Sequence, residues 1–425
     1  MNIFLVGGAV RDQLLGLDVK DQDWVVVNAD IKTMLKAGYK QVGTDFPVFL
    51  HPKTHEEYAL ARIERKSGQG YTGFVCDFAP DVTLEEDLQR RDLTINAIAQ
   101  ADDGSLIDPY GGKTDLDNKI LRHVSPAFIE DPLRTLRVAR FAARFHSLGF
   151  QVADETMVLM SKIVESGELN TLTPERVWME WKKSLYTSRP DVFHSILRDC
   201  GALAVVLPEI DALFGVPLLG QWHPEIDTGI HSLMVTRQAA KLTSNTYIRF
   251  ATQMHALNEI LIPSEEWSSH KTYAKIGNIS VKAVCERVRV PNMYRDVALF
   301  VCIEHTNIHN AGELKASTFI KLFDRNDFWR KPERVPQLAI ASQAVYQGRI
   351  GFENCPYPQA QWLIGAFEAA NTVDVQPIMA EGFQGHSIRQ ELTRRRIHAV
   401  KMYLNENRTL LPNLSSDKNF NMTSD

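Results

Sequence analysis

Cysteine is scarce in this chain. Its 425 residues carry five, at positions 76, 200, 285, 302 and 355, and no two are spaced as CxxC. That scatter argues for reduced thiols and against a disulfide frame or a cysteine-ligated zinc site. Long apolar runs are also missing. The N-terminus offers only Ile3 to Val10, broken by Gly7-Gly8, which is too short for a signal peptide or a membrane span and points to a protein that stays in the cytoplasm. There is no repeat and no low-complexity tract apart from a polar tail after Pro412, which reads as disordered. Basic charge is not in excess either, because the formal net charge is -5. Any nucleic-acid partner must therefore be met by local positive patches, since phosphate neutralisation supplies most non-specific affinity. Arg134 to Arg144, Lys182-Lys183, Arg287 with Arg289, and Arg389 to Lys401 are the candidate patches.

With 44% hydrophobic and 23% charged residues, the composition is that of an ordinary globular protein with room for two to four domains. The most informative segment is KDQDWVVV, with Asp21 and Asp23 at its start. Residues i and i+2 of a strand project to one face, so a strand beginning there presents two carboxylates side by side, hard oxygen ligands suited to Mg2+. Upstream, Phe4 to Val6 reads as a strand running into Gly7-Gly8, and Ala9 to Leu15 as a helix with Arg11 in its first turn. Paired glycines admit a triphosphate close to backbone amides, and a guanidinium adds bidentate phosphate contacts.

Arg134, Arg137, Arg140 and Arg144 fall in a stripe roughly 120° wide on one helix, at 100° per residue. Leu133, Leu136, Phe141 and Phe145 are threaded among them, so the stripe is expected to be partly buried. Buried guanidiniums without a counter-anion cost several kcal/mol each. An incoming triphosphate is the anion this pattern suggests.

The order GGAVRD, DxD, RRDLTINA (90–97), DPYGG (108–112) and EDPLRTLRVARF (130–141) resembles the class II tRNA nucleotidyltransferases, the CCA-adding enzymes, in their short-N-terminus bacterial form. The resemblance spans most of the chain. It implies an α+β protein: a nucleotidyltransferase head, polymerase-β-like with a mixed sheet, followed by an all-α neck, body and tail. The boundaries it suggests are 1–140 for the head, 141–225 for a nucleotide- and tRNA-binding neck and body, 226–330 for an HD-like domain, 331–412 for the tail and 413–425 for a disordered end. The implied activity is template-independent repair of the tRNA 3′-CCA from CTP and ATP, by a monomer or weak homo-oligomer. Residue by residue, Gly8 and Arg11 would contact the nucleotide, Asp21 and Asp23 the Mg2+ ions, Arg91, Arg137 and Arg140 the phosphates or base, and Asp92 the ribose. Asp131 and Arg134 would read the base, a carboxylate beside a guanidinium matching cytosine and adenine but neither uracil nor guanine. Presenting the wrong edge leaves buried charged groups unpaired, at roughly 2–5 kcal/mol. Glu57, in EEYALAR, stands between a third metal ligand and an ordinary exposed strand residue.

Further along, WHPEIDTGIHSLMVT and RFATQMHALNEI resemble the HD phosphohydrolase domain of this subgroup. The His-Asp pair that defines that domain is His255-Ala256 here, and the Gly-Lys that normally follows is missing. His231, His270, His305 and His309 remain. Two close divalent ions need an anion between them, so an HD fold without hydrolase activity is expected. Two rival readings are a bacterial poly(A) polymerase, which typically carries a basic C-terminal extension and no HD-like segment, and an RNA-binding protein that has lost catalysis. Smaller local expectations are a loop around Gly68, Gly70 and Gly73, a capping box at Thr83 to Glu86, and a helix opened by Thr173 and Pro174.

Overall fold

The computed structural model describes residues 1–42, 48–66, 74–218, 223–257 and 270–410. The expected loop around Gly68 and Gly73, the position of the missing Gly-Lys, and the polar tail all lie outside them, and so does the side chain of His270. The described residues form two compact units, Met1–Pro208 and Glu209–Asp425.

The first unit is built on strands β1 (Asn2–Val6), β2 (Asp23–Val27), β3 (Lys40–Val42), β4 (Val48–Leu50), β5 (Glu57–Leu60), β6 (Ile63–Lys66), β7 (Phe74–Asp77), β8 (Ala99–Gln100) and β9 (Leu106–Ile107). Seven of them make one mixed sheet in the order β3-β4-β5-β2-β1-β8-β9, with β6 and β7 pairing separately. β1 runs antiparallel to β2, while β2 runs parallel to β5. The Val25-Val26-Val27 run is apolar throughout because the strand is buried on both faces. Val25 and Val27 pack with Val6, Leu84 and Leu88, whereas Val26 packs with Met34, Phe49 and Leu60.

Helices in this unit are α1 (Gly8–Leu14), α2 (Ile31–Lys36), α3 (Leu84–Gln89), α4 (Gly112–Asn118), α5 (Leu133–Phe145), α6 (Asp154–Glu165), α7 (Pro174–Ser184), α8 (Pro190–Asp199) and α9 (Leu203–Val206). α3 opens with the expected capping box: Thr83 accepts from the Glu86 amide, and Glu86 accepts from the Thr83 amide. α7 opens at Pro174 as expected, although the Thr173 side chain makes no capping bond. The arginine stripe lies on α5, which packs on α7 and α8. Leu136, Phe141 and Phe145 of α5 are buried.

The second unit is helical. It contains α10 (Pro208–Asp211), whose first residue closes the preceding unit, then α11 (Thr228–Leu242), α12 (Thr246–Gln253), α13 (His270–Arg287), α14 (Asn292–His309), α15 (Ala316–Arg325), α16 (Arg334–Gln347), α17 (Gln359–Asn371), α18 (Gln376–Ala380) and α19 (His386–Glu406). α14 packs against α12, α13 and α16, and α19 against α15 and α17. Among the described residues no helix is long and apolar enough to cross a membrane.

Candidate active site

The register of three strands assembles the site. Val6 at the end of β1 pairs with Asp23 at the start of β2, and Asp23 pairs with Glu57 at the start of β5. Side chains alternate along strands, so Asp23 and Glu57 share the face on which Val6, Val25 and Ala61 pack. Both carboxylates are exposed. Asp21 is exposed too, two residues ahead of β2, with Gln22 half-buried between the pair. The strand thus starts at Asp23 rather than Asp21, while the alternation keeps the two acids facing solvent. Glu57, undecided from sequence, lies directly across from Asp23.

Beyond Val6 the chain turns at Gly7, whose φ of 70° is left-handed. A Cβ there would lie 2.7 Å from Nη1 of Arg91, so the turn is closed over by that guanidinium. Gly8 begins α1, and Arg11 follows one turn later, 3% exposed. Arg11 belongs to a continuous hydrogen-bonded chain that is buried at Arg11, Asp12, Asn96 and Asp92 and reaches the surface at exposed Arg144 and half-buried Arg137. Arg144 donates to Asp12 Oδ2 at 2.8 Å, and Asp12 Oδ1 accepts from Arg11 Nε at 2.9 Å. Arg11 Nη1 donates to Asn96, and Asn96 Nδ2 donates to Asp92 Oδ1 at 2.8 Å. Asp92 Oδ2 accepts from Arg137 Nε at 2.7 Å. Phe141 and Phe145 hold the Arg11 guanidinium at 5.2 and 5.1 Å.

The electrostatics follow from that chain. Burial lowers the pKa of Arg11 and of Arg91, a loss that neighbouring carboxylates oppose. Burial would raise the pKa of Asp92, but Arg137, the Asn96 hydrogen bond and Arg134 carry it far below the usual carboxylate range. Asp92 in turn raises Arg137. Arg91 donates to Asp87 Oδ2 at 3.2 Å and to the Asn96 carbonyl at 3.4 Å, while its buried Nε has no partner.

The arginine stripe is partly buried as expected, yet its counter-groups are internal. Arg137 pairs with Asp92, Arg140 with Glu180 and Arg144 with Asp12. Arg134, 8% exposed, donates to the carbonyls of Ala127 and Arg90. The need for an anion inferred from the stripe alone is thus met in advance by the protein, which fixes these groups before any ligand arrives. Asp131 accepts from the Leu133 amide at 3.1 Å and from Arg176 of α7.

Asp12, Asp87, Asn96, Arg176 and Glu180 were not singled out from sequence. Asp12 and Asn96 stood inside the quoted motifs GGAVRD and RRDLTINA. Glu180 and Arg176 had only a faint signal: both lie on the helix after Thr173-Pro174, four residues apart and therefore on one face.

In the second unit four histidines that the sequence spreads between positions 231 and 309 come together. Ring centroids of His231 and His255 are 5.3 Å apart, His255 and His305 5.5 Å, His305 and His309 5.8 Å. Ala256, where the HD pattern has aspartate, is fully buried. Burial lowers the pKa of all four histidines, that of His231 to about 4.

A glycine turn over strand-borne carboxylates, backed by a fixed arginine array, defines a nucleotidyltransferase head. A family model described as "Poly A polymerase head domain" matches residues 3–122, and one described as "Probable RNA and SrmB- binding site of polymerase A" matches residues 149–214. The chain is 63% identical over 406 residues to a multifunctional CCA protein of Vibrio parahaemolyticus serotype O3:K6, covering 96% of this chain and 100% of that one. It is 62% identical over 404 residues to the one of Aliivibrio salmonicida, covering 95% and 99%. Among solved structures, a CCA-adding enzyme in complex with CTP matches with a TM-score of 0.63 at 20% identity, over 96% of this chain and 91% of that one. The Thermotoga maritima CCA-adding enzyme complexed with tRNA matches with a TM-score of 0.61 at 19% identity, over 95% and 91%. This chain belongs to the multifunctional CCA protein family.

Proposed function

We propose that this protein adds and repairs the 3′-terminal CCA of tRNA in the cytoplasm, taking CTP and ATP as substrates and using no nucleic-acid template. The observation that carries the reading is the register Val6–Asp23–Glu57 beneath the Gly7-Gly8 turn, beside the Arg11–Asn96–Asp92–Arg137 chain.

Exposed carboxylates in strand register are hard-oxygen donors of the kind Mg2+ takes. Asp21 and Asp23 would hold it, with Glu57 as third ligand or orienting group. Bound there, Mg2+ would lower the charge of the triphosphate and make pyrophosphate a better leaving group. The chain's own residues supply position and field. Gly7 leaves room for the Arg91 guanidinium and Gly8 for phosphates against the backbone, and Arg11 and Arg91 are held at that turn by Asp12, Asn96 and Asp87. Arg137 and Arg140 would meet the phosphates or base from orientations set by Asp92 and Glu180. Asp92, with both oxygens engaged, would reach a ribose only through an oxygen shared with Asn96 or Arg137; its evident work is to fix those groups. Asp131 and Arg134 would read the base edge. Catalysis is then preorganisation: the RNA 3′-hydroxyl attacks the α-phosphorus in line and pyrophosphate leaves, with little rearrangement of the arginines.

The HD-like domain, on this reading, has lost its phosphohydrolase activity, supported by buried Ala256 in place of the bridging carboxylate.

The test is incorporation on tRNA ending at the discriminator base, with CTP and ATP supplied singly and together. Two C followed by one A is expected. Runs of A alone would indicate a poly(A) polymerase, and no incorporation a binding protein.

A further inference from the structure

The second unit contains a cluster that nucleotide transfer does not use. Glu225 Oε1 lies 3.0 Å from Nδ1 of His223 and 2.8 Å from Nδ1 of His231. The Glu225 side chain is wholly shielded from solvent, that of His231 is 3% exposed, and that of His223 25%. One ligating atom from each residue falls within 4.8 Å of the others. His231 is in the first turn of α11, while His223 and Glu225 precede it in a segment pinned on several sides. Asp227 caps α11 through the Ile230 amide at 2.8 Å and also accepts from the Gly215 amide at 2.7 Å. Glu225 Oε2 accepts from the Ile350 amide at 3.4 Å.

Two imidazoles facing one carboxylate oxygen have a plain explanation, in which each donates an N–H. His223 fits it. His231 fits it less well: its Nδ1 lies 2.8 Å from Oε1, close enough to help hold the Glu225 carboxyl below its usual range, but the N–H is poorly aligned and this buried nitrogen has no other partner. Buried imidazole nitrogens are ordinarily satisfied. A cation shared by the two lone pairs and the carboxylate would satisfy all three at once. Two imidazole nitrogens with one carboxylate oxygen suit Zn2+, Ni2+ or Co2+, whereas Mg2+ takes all-oxygen shells. A tetrahedral ion with bonds of about 2.0–2.1 Å spaces its ligands roughly 3.3 Å apart, so each ring nitrogen needs to draw off Oε1 by only about half an ångström, and the three ligating atoms already lie within 4.8 Å of one another.

This set is not the His-Asp pair of the HD pattern. His255 donates Nδ1–H to the Thr252 carbonyl at 2.6 Å and meets His231 only edge to face, and Ala256 offers no ligand. With no bridging carboxylate there is nothing to hold a second ion beside the first. We propose that His223, Glu225 and His231 bind a single divalent transition-metal ion, with water completing the shell on the His223 side, and that this ion fastens the segment ahead of α11 without supporting phosphohydrolysis.

The proposal is independent of the transferase reading, and its test can be made so. The full-length protein is stripped with chelator, dialysed against Zn2+, Ni2+ or Co2+ in excess Mg2+, and analysed for metal content, in parallel with an Asp21→Ala/Asp23→Ala variant. One equivalent retained in both, visible ligand-field absorption with Co2+, and a rise in melting temperature with Zn2+ are expected. Glu225→Gln and His231→Asn should lose the equivalent and the thermal shift while still adding CCA. Absence of a stoichiometric ion in the stripped and reloaded wild-type protein overturns the proposal, whether or not the variants fold. So does full retention by a folded Glu225→Gln or His231→Asn protein. Loss of the ion only in the Asp21→Ala/Asp23→Ala variant would place it at the head instead.

Discussion

Arg176 Nη2 lies 3.2 Å from both carboxylate oxygens of Asp131, joining α7 to the chain two residues ahead of α5. One turn further on α7, Glu180 holds Arg140. A single helix face thus orients both a base-reading candidate and a phosphate-binding candidate, one through a cation and the other through an anion.

Removing Arg176 should therefore leave Asp131 held only by the Leu133 amide. Charge-assisted hydrogen bonds contribute roughly 1.5–3 kcal/mol, and this one is partly exposed, so a loss near the lower end, about tenfold in discrimination of CTP over UTP, is expected for Arg176→Met. Arg176→Lys should recover part of it, because a point charge remains without the planar fork. Single-nucleotide kcat/KM values with each NTP measure this. Unchanged ratios in Arg176→Met alongside altered ratios in Asp131→Asn would show that Asp131 needs no such support.

The strand register makes a graded prediction for the acids. Asp21→Ala and Asp23→Ala should abolish turnover, at least a thousandfold, with tRNA affinity kept within a few-fold, since neither side chain is needed for burial or pairing. Glu57→Gln, on the neighbouring strand, should raise the Mg2+ concentration needed for half-maximal activity and lower kcat less than either aspartate change. A titration of activity against Mg2+ separates these roles, and an Asp23→Ala protein that no longer binds tRNA would point to a folding role for the pair.

Gly7 offers a test of the turn itself. Alanine there must accept φ 70° with ψ −125°, outside the left-handed helical well and suited to glycine, costing roughly 1–3 kcal/mol, and its Cβ would lie 2.7 Å from Arg91 Nη1. That guanidinium is anchored to Asp87 and the Asn96 carbonyl, so it cannot withdraw freely. Gly7→Ala should fold with a lowered melting temperature and a raised KM for nucleotide. At Gly8 the nearest atom to an added Cβ is Arg11 Nη2 at 3.5 Å, ordinary contact, so Gly8→Ala should leave the melting temperature near that of wild type. Equal thermal losses in the two variants would contradict this account.

What the sequence made legible was local. DxD, the double glycine and the α5 arginines are each read from neighbours within a turn or a strand, and the structure keeps the glycine turn and the α5 helix as read while starting β2 at Asp23 rather than Asp21. What it hid was pairing across distance. Nothing in the spacing couples Asp92 to Arg137, 45 positions apart, or Arg140 to Glu180, so the arginine stripe looked short of anions that other elements supply. The same holds for Glu57, whose role depends on β5 lying parallel to β2 with no register shift. In the second unit, reading the surviving histidines singly favoured structural roles. Only the fold places His231 against Glu225 and His223, neither of which the HD pattern emphasised.

The buried histidines predict how the protein responds to acid. Burial lowers His194 to about 3 and His231 to about 4, against 6.5 for an unfolded chain, and His255 and His309 move the same way. The folded state therefore refuses protons that the unfolded state accepts. Stability from these groups is fully present above pH 6.5 and is lost as pH falls toward the folded values, at about 1.4 kcal/mol per pH unit for each histidine titrating. Depressed carboxylates such as Asp92 and Glu225, with unfolded values of 3.8 and 4.5, act mainly below about pH 5, so the interval from 6.5 to 5 isolates the histidines. Melting temperature measured in chelator should fall steeply across that interval. His194 sits between Trp181 and Phe193 with its Nε2 unpartnered, so His194→Phe should flatten the slope by one histidine's share. A profile that stays level down to pH 4.5 would mean that these rings are hydrated or already charged in the native protein.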